Sequence, residues 1–344
     1  MSAFTPIPTR WVGDFRLSGN VINETLAVPL ATYETPLWPS VNRGARLSRL
    51  CPDGIRVTVI DARMTRSVLL ESGDAATAWA ALESIQRRFS ELAAVVESTS
   101  RYCRLLALHP QLVGNLLFLR LEFSTGDAAG HNMATKAAEA LLGWLLAQYP
   151  QLGYGSISGN YCTDKKVSAV NGILGRGKYA IAEILIPAEL VEKQLRSSAE
   201  KICTLNLRKN HIGSNIAGSL RSANAHFANM LLAFYLATGQ DAANIIEGSQ
   251  GLVHTENRNG DLYFSCTLPN LIVGSVGNGK GLPVIEEHLQ RLGCRAERPA
   301  GANGLRLAAI AAAVVLAGEL SLLAAQTNPG ELMRSHLTLE RHGH

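Results

Sequence analysis

Two stretches, 219–238 and 304–326, are apolar on nearly every side at helical spacing, and nothing else in the sequence constrains the fold as much. A helix lying on a protein surface keeps a polar face, so a helix without one has to be buried. The second stretch holds the longest apolar run, 307–318, which Glu319 interrupts. That run is too short to span a bilayer and reads as a buried helix, stopped by Pro329-Gly330. The first stretch ends at Gly239 and predicts the central helix of a large domain. A chain of 344 residues can bury both and still form more than one domain.

The rest of the pattern is mixed. Residues 1–50 are rich in Pro, Gly and Thr with little periodicity, which predicts an irregular, extended segment. Residues 55–60 are β-branched and strand-like, and 75–96 have helical spacing. Residues 116–123 alternate, with Leu119, Leu121 and Phe123 on one side and Arg120 and Glu122 on the other, predicting a half-exposed strand. A helix over 133–149 stops at Pro150, so 68–157 predicts a compact α+β unit with one exposed sheet face. Beyond it we expect a strand over 179–187, a helix over 188–204 and a strand over 262–276 with a turn at Pro269-Asn270. The tail from Glu331 is polar, and there is no internal repeat.

Composition narrows the function. A hydrophobic content of 47% with 17% charged residues is that of a globular protein. The net charge of +4 is too mild for nucleic acid but tolerates phosphate-bearing ligands such as CoA or a nicotinamide dinucleotide. Six scattered cysteines form no Cys-x-x-Cys or Cys/His cluster, so no metal site is expected, and free thiols in a reducing cytosol are. The first residues show neither the basic nor the apolar region of a signal peptide, and a cytoplasmic location follows as the expectation.

The chemistry concentrates in Ser158-Gly159-Asn160-Tyr161-Cys162-Thr163-Asp164-Lys165-Lys166. Helical pattern resumes near Val167, so Thr163 is predicted as an N-cap with Asp164, Lys165 and Lys166 in the first turn. Asp suits that place, whereas the helix dipole opposes each lysine by roughly 0.3–1 kcal/mol. Local pattern leaves two readings open: a solvated basic helix start, or cations set beside an anionic ligand or a developing oxyanion.

The same run closely resembles the signature of 3-hydroxy-3-methylglutaryl-CoA (HMG-CoA) reductases, where Gly-Asn-x-x-Thr-Asp-Lys-Lys carries the catalytic lysine. The resemblance extends from Pro6-Ile7-Pro8 to His336 and is to the class found in eukaryotes and archaea, in a soluble form. It implies that Lys165 stabilises the oxyanion, that Glu34 gives a proton, and that Asp241, in Gly239-Gln240-Asp241-Ala242-Ala243, couples the two. It also implies that His336, in Leu332-Met333-Arg334-Ser335-His336, protonates the CoA thiolate. From local context alone, Asp241 reads as a cap, Glu34 as a loop acid and His336 as an exposed tail histidine.

For the acyl-CoA the resemblance implies Arg66, Asn42 and Arg43, the signature residues Ser158, Asp164 and Lys166, and His226 and Asn229 on the first buried helix. Lys209 would pair with the substrate's free carboxylate. For the nucleotide, no Gly-x-Gly-x-x-Gly joins a strand to a helix, so a Rossmann domain is not expected. Gly126-Asp127-Ala128-Ala129-Gly130-His131-Asn132 instead resembles the family's Asp-Ala-Met-Gly-Met-Asn stretch, with Ala129 and His131 replacing both methionines. Gly274-Ser275-Val276-Gly277-Asn278-Gly279-Lys280 resembles its Gly-rich loop, and Asn160 joins this set. Ser100-Arg101 matches the pair that holds a 2′-phosphate, which implies NADPH over NADH. Read from the residues alone, Arg101 is a surface charge and His226 a satisfied core histidine.

The implied architecture is α+β. A large, mainly helical domain (1–67 and 158–344) surrounds the central helix 219–238, and an inserted ferredoxin-like domain (68–157) binds NADPH. The chain would form a homo-oligomer with active sites at the dimer interface, and would reduce (S)-HMG-CoA to mevalonate and CoA with two NADPH. The sequence departs from the family in places. Thr35 and Pro36 follow Glu34 where relatives have Gly, which would strain Thr35 if φ there were positive. His342 stands at the place of an animal regulatory serine. The family's Glu-Asn-x-x-Gly motif, in a helical region used for dimer contacts, would precede Pro6. Two alternatives follow. One is a reductase of another acyl-CoA, against which Lys209 discriminates because it serves only an acyl group with a distal anion. The other is a non-catalytic CoA-binding homologue, against which the joint presence of Glu34, Lys165, Asp241 and His336 argues.

Overall fold

A computed structural model describes residues 5–331 and 333. Most of residues 9–50 are regular, contrary to the expectation of an irregular segment. Strands β1 (Thr9–Gly19) and β2 (Glu24–Ala31) form an antiparallel hairpin, followed by helix α1 (Leu37–Leu50). Phe15, Leu17, Val28 and Leu30 are buried by this pairing. A register shift between Val12 and Phe15, at Gly13 with φ 79°, breaks the alternation that would have marked β1.

Strand β3 (Ile55–Ser72) is much longer than its β-branched start and is shared by two sheets. Its first half pairs with β1 and with β7 (Gly177–Ile186). The second half pairs with β5 (Leu116–Ser124) and β6 (Leu152–Ser156). With β4 (Arg104–Val113) on β5, this gives the antiparallel order β6-β3-β5-β4. The smaller unit also carries α2 (Ala75–Arg87), α3 (Phe89–Thr99) and α4 (His131–Gln148), the expected helix over 75–96 being divided at Arg88. One buried apolar cluster draws on residues up to Val59 and from Ala180 onward; the other draws on Met64 to Leu152 with Ile272. The two cores change over inside β3, so the expected boundary at 67/68 falls within an unbroken strand.

The larger unit is mixed, with helices packed on a sheet. It continues through α5 (Ala169–Leu174), α6 (Ala188–Leu190), α7 (Ala199–Leu205), α8 (Ser214–Ile216), β8 (Ser222–Ala223), α9 (Phe227–Ala237) and α10 (Ile245–Gly248). Strands β9 (Gly251–Arg258) and β10 (Asp261–Leu271) and helices α11 (Pro283–Arg291) and α12 (Ala302–Gln326) complete it. The strand order is β2-β1-β3-β7-β10-β9-β8. The expected helix over 188–204 breaks at Arg196, with φ 52°. Pro269-Asn270 is a register shift within β10, not a turn.

The central helix is α12, not 219–238. Almost every side chain from Gly304 to Ala325 is buried, and α1, α9 and the sheet pack around it. The crossing with α1 is so close that a Cβ on Gly44 would collide with the backbone of Ala317. Among the described residues α12 is the one helix long and apolar enough to cross a membrane, and it lies in the core. The expected helix over 219–238 starts only at Phe227. The Glu319 carboxylate on α12 accepts the Ala225 and His226 N–H groups, and the Asn224 side chain accepts from Phe227 N at 3.2 Å. Those bonds replace the ones a longer helix would make, so His226 caps α9 and does not project from it.

Arg120 and Glu122, expected on an exposed sheet face, are fully buried. The loop after β6 covers that face, and Arg120 donates to Gly175 O at 2.7 Å. Glu122 pairs with Arg120 and with Arg63 at 2.8 Å, the kind of pairing that buried charges require, and the His109 ring nitrogen Nε2 lies 3.1 Å away.

Candidate active site

The signature run is a loop, and Thr163 does not start a helix. Asn160, Thr163 and Lys165 all have left-handed φ values, 58°, 42° and 55°. Helix α5 begins only after Ser168, whose hydroxyl accepts Asn171 N at 3.2 Å. The two lysines therefore escape the dipole penalty. Each left-handed non-glycine residue costs on the order of 1 kcal/mol, so the surroundings must impose the conformation. Thr163 and Ser168 share a 2.6 Å hydroxyl bond, Asn171 Nδ2 donates to Thr163 O at 3.1 Å, and Lys165 N donates to Glu247 Oε1 at 3.1 Å.

The Lys165 ammonium lies 2.8 Å from Asp241 Oδ2, both side chains being about half exposed. The other Asp241 oxygen accepts Ala243 N at 3.1 Å, so the residue is a cap and the lysine's partner at once. The hydrogen bond to Asp241 raises the Lys165 pKa. Partial burial pushes Asp241 up, but the bonds from Lys165 and Ala243 outweigh it and hold the carboxyl below its usual range. Near neutral pH the pair is a cation held by an anion.

This pair opens on a cavity of about 550 Å³ that is also lined by Arg66, the segment from Ala128 to Met133, Gln240, Asn244, Gly277, Asn278 and Lys280. The two glycine-bearing segments meet here because their backbones touch. Ser275 N donates to Asp127 O at 2.9 Å, Ala128 bridges Val276, and a Cβ on Gly274 would strike the Ala128–Ala129 peptide. Gln240 Oε1 accepts Gly274 N at 3.0 Å, and the Lys280 ammonium bonds Gly239 O, which ties the Gly-rich loop to the Asp241 turn. Arg66 Nε is buried without a protein partner among the described residues. Burial, with Arg176 nearby, lowers the His131 pKa to about 4, so that imidazole is neutral at pH 7. Arg66, Lys165 and Lys280 line the cavity together with Asp164 and Asp241, three cations against two carboxylates.

A second cluster sits at the other end of α9. Asn229 Nδ2 donates to Glu34 Oε2 at 3.0 Å. The His226 ring nitrogen Nε2 is 3.2 Å from Gly318 O, while Nδ1 is buried and has no partner among the described residues. Burial lowers the His226 pKa to about 4 and also lowers that of Lys209, whose charge faces Glu319. Burial pushes the Glu319 carboxyl up to about 7. Asn229 lies near the start of α9 and Asp241 beyond its end, so at 1.5 Å per residue the clusters are separated by about 12 Å or more along the axis. Glu34 does not line the Lys165 cavity. Thr35 is not among the left-handed residues, so it sits after Glu34 without strain.

The other sequence-derived candidates divide. Asp164, Ala129, Asn132 and Gly277 line the cavity, and Gly274 and Gly279 shape the loop above it. Both Asp127 oxygens are occupied at the start of α12, accepting Gly301 N at 3.1 Å and Gly304 N at 2.8 Å. Arg43 ties α1 to Ser321 and Glu331, and neither it nor Asn42 reaches the cavity. Ser158, Asn160 and Lys166 are exposed outside it, Lys166 donating to Asp164 O at 3.2 Å. Ser100 and Arg101 follow α3, with Arg101 stacked on Tyr102 at 4.6 Å beside the Gly126 turn. His336 lies outside the described residues.

Sequence reading overlooked Arg176 and Glu247, an ion pair of 2.7 Å buried beneath Lys165, and Gln240 and Lys280 in the cavity wall. The available signal was faint: a charged residue between two glycines in Gly175-Arg176-Gly177, and an acid six residues after Asp241.

A family model described as hydroxymethylglutaryl-coenzyme A reductase matches residues 1–341. The 3-hydroxy-3-methylglutaryl-coenzyme A reductase of Aeropyrum pernix is 44% identical over 339 residues, 98% of this chain and 80% of the relative. The protein of the same name from Pyrococcus abyssi is 41% identical over 344 residues, 99% of this chain and 84% of the relative. Among solved structures, the class II reductase of that name from Streptococcus pneumoniae, bound to NADPH, superposes with a TM-score of 0.74 at 20% identity. The superposition covers 95% of this chain and 86% of that one.

Proposed function

The chain belongs to the hydroxymethylglutaryl-coenzyme A reductase family and is an oxidoreductase, and from that premise we propose that it reduces (S)-HMG-CoA to mevalonate and CoA with two NADPH. The observation that carries this reading is the Lys165–Asp241 contact of 2.8 Å at a cavity lined by three cations and two carboxylates. NADPH fits that lining. Arg66 keeps a buried donor unpartnered among the described residues, the close approach of Gly274 to the Ala128–Ala129 peptide holds the two glycine-bearing segments together in the cavity wall, and Arg101 on Tyr102 stands beside the Gly126 turn as the 2′-phosphate contact. When bound, NADPH supplies hydride, first for the thioester carbonyl and then for the aldehyde.

The residues of the chain do the rest. Lys165 donates to the carbonyl oxygen as negative charge develops, an electrostatic role that often dominates catalysis. Asp241 keeps that lysine charged and aimed. Glu34 gives the proton to the aldehyde oxygen, Lys209 receives the distal carboxylate of the acyl group, and His336 protonates the departing CoA thiolate. The separation along α9 supports a homodimer in which Glu34, Lys209 and Asn229 of one chain face Lys165 and Asp241 of its partner. Val167, Ile173, Ile216, Leu220 and Ile246 are exposed apolar residues in the segments around the catalytic loop and suit such an interface. We take the unit at 68–157, with its order β6-β3-β5-β4, as a ferredoxin-like nucleotide-binding domain inserted in a large domain of 1–67 and 158–344. Six free thiols favour a cytoplasmic setting, where the product would enter isoprenoid synthesis.

The test follows NADPH absorbance after addition of HMG-CoA, with Lys165→Ala in parallel. The parent should oxidise two NADPH per CoA released, and the variant should bind CoA without turnover. A folded parent that oxidises nothing would overturn the substrate assignment; turnover by the variant would overturn the lysine's role.

A further inference from the structure

Lys165 needs an external hold, because its backbone is left-handed and its loop forms no helix. The hold comes from Glu247 on α10, a carboxylate with no solvent exposure. One of its oxygens accepts three donors: Lys165 N at 3.1 Å, Arg176 Nη1 at 2.7 Å and Asn244 Nδ2 at 3.0 Å. Arg176 is itself buried, and its other terminal nitrogen lies 3.1 Å from Asp164 Oδ1, on the residue before Lys165. The segment from Asp241 to Glu247 thus carries two carboxylates that act on one lysine. Asp241 takes the ammonium and Glu247 takes the backbone N–H, while Arg176 links Glu247 to the preceding side chain.

We propose that Glu247, acting with Arg176, is a positioning residue for the reaction, holding the loop in the left-handed conformation that aims the Lys165 ammonium at Asp241. The inference rests on the reading of Lys165 as the oxyanion-stabilising group. A pair that merely filled the core would have no reason to bond the lysine's own N–H and its neighbour's carboxylate. The charged groups around the ammonium are Asp241, Asp164, Glu247 and Arg176, with His131 beside them. Removing the Glu247 charge subtracts one anion from that set.

Steady-state kinetics of Glu247→Ala and Glu247→Gln, with Lys165→Ala alongside, test the proposal. Misplacement of a reacting group by about 1 Å can cost on the order of 100-fold, so Glu247→Ala should lower kcat by roughly 10- to 100-fold. NADPH binding, read by its fluorescence, should move much less. Glu247→Gln keeps an acceptor for the Lys165 N–H and should recover part of the loss. In both variants the alkaline limb of the kcat profile should shift to lower pH, since an ammonium with one anion fewer nearby loses its proton sooner. A folded Glu247→Ala with the parent's kcat and alkaline limb, beside an inactive Lys165→Ala, would overturn this inference alone. Turnover by Lys165→Ala would overturn the reading beneath it. Should Glu247→Ala fail to fold, Glu247→Leu combined with Arg176→Met supplies an apolar pair in its place. Low kcat in that folded double variant supports positioning, and restored kcat refutes it.

Discussion

The two ends of α9 use the same device with different electrostatics. At each, a fully buried carboxylate accepts backbone N–H groups from a segment that carries site residues. Glu247 holds Lys165, and Glu319 holds Ala225 and His226. Glu247 is matched by a buried arginine at 2.7 Å. Glu319 has no ion pair among the described residues, only the more distant charge of Lys209, and burial pushes its carboxyl up to about 7. The end that carries Lys165 therefore has a buried cation beside its carboxylate, whereas the end that carries Glu34 has in Glu319 a carboxyl raised to about 7. Burial raises both carboxyls, and at Glu247 the charge of Arg176 opposes that rise, whereas Glu319 has only the more distant Lys209.

The largest effect that would break this comparison is the loss of Lys165. Removing a preorganised donor to a developing oxyanion costs about 100- to 1,000-fold, so Lys165→Ala should lower kcat at least that far while a Glu319→Gln variant retains measurable turnover at pH 7. Equal losses in rate assays would make the two ends functionally alike. The next largest concerns whether one chain holds a whole site. Co-expressed Asp241→Asn and Glu34→Gln subunits, each inactive alone, should regain about a quarter of parental activity. Random pairing makes half the dimers mixed, with one intact site in two. No recovery in a confirmed mixed dimer would place Glu34 and Asp241 in the same site of one chain.

The parts of this arrangement legible in the sequence were those written locally. The stretch at 304–326 lacks any polar face, and α12 is buried accordingly. The start of α9 was not legible, because it is decided by Glu319, more than ninety residues away, accepting the Ala225 and His226 N–H groups. Arg120 and Glu122 alternate as a solvent-facing pair would, yet a second layer covers them, and alternation cannot tell water from a buried ion cluster. Lys165 and Asp241 follow from resemblance, whereas the left-handed loop that presents Lys165 has the local pattern of a helix start. None of Asn160, Thr163 and Lys165 is a glycine, so no composition signal marked the turn.

The uncompensated end should show its charge as pH-dependent stability. A folded pKa raised from the usual carboxylate range to about 7 makes ionisation of Glu319 unfavourable in the native state. The associated stability is complete below the unfolded pKa and is lost as pH rises through about 7. A shift of this size corresponds to up to about 3 kcal/mol. Glu319→Gln has no such titration, so the stability of the parent relative to the variant should fall by that order between pH 4.5 and 8 in paired urea unfolding. A difference that stays flat across this range would mean that Glu319 is compensated like Glu247.

The smallest effect separates the backbones of the loops that carry Lys165 and Glu34. Lys165 sits at φ 55°, whereas Thr35, after Glu34, is not among the left-handed residues. Glycine tolerates positive φ without a Cβ clash, but elsewhere it costs roughly 0.5–1 kcal/mol relative to alanine through the freedom of the unfolded chain. Comparing glycine with alanine at each position cancels the lost side chain. Lys165→Gly should be more stable than Lys165→Ala by up to about 1 kcal/mol, a left-handed strain of roughly 1–2 kcal/mol exceeding the entropy term. Thr35→Gly should be less stable than Thr35→Ala by about 0.5–1 kcal/mol. Urea unfolding of the four variants reads both differences. Opposite signs confirm that strain is stored only in the loop that presents the lysine. The same sign at both would mean that the hold of Glu247 on Lys165 N–H imposes no conformation the chain resists.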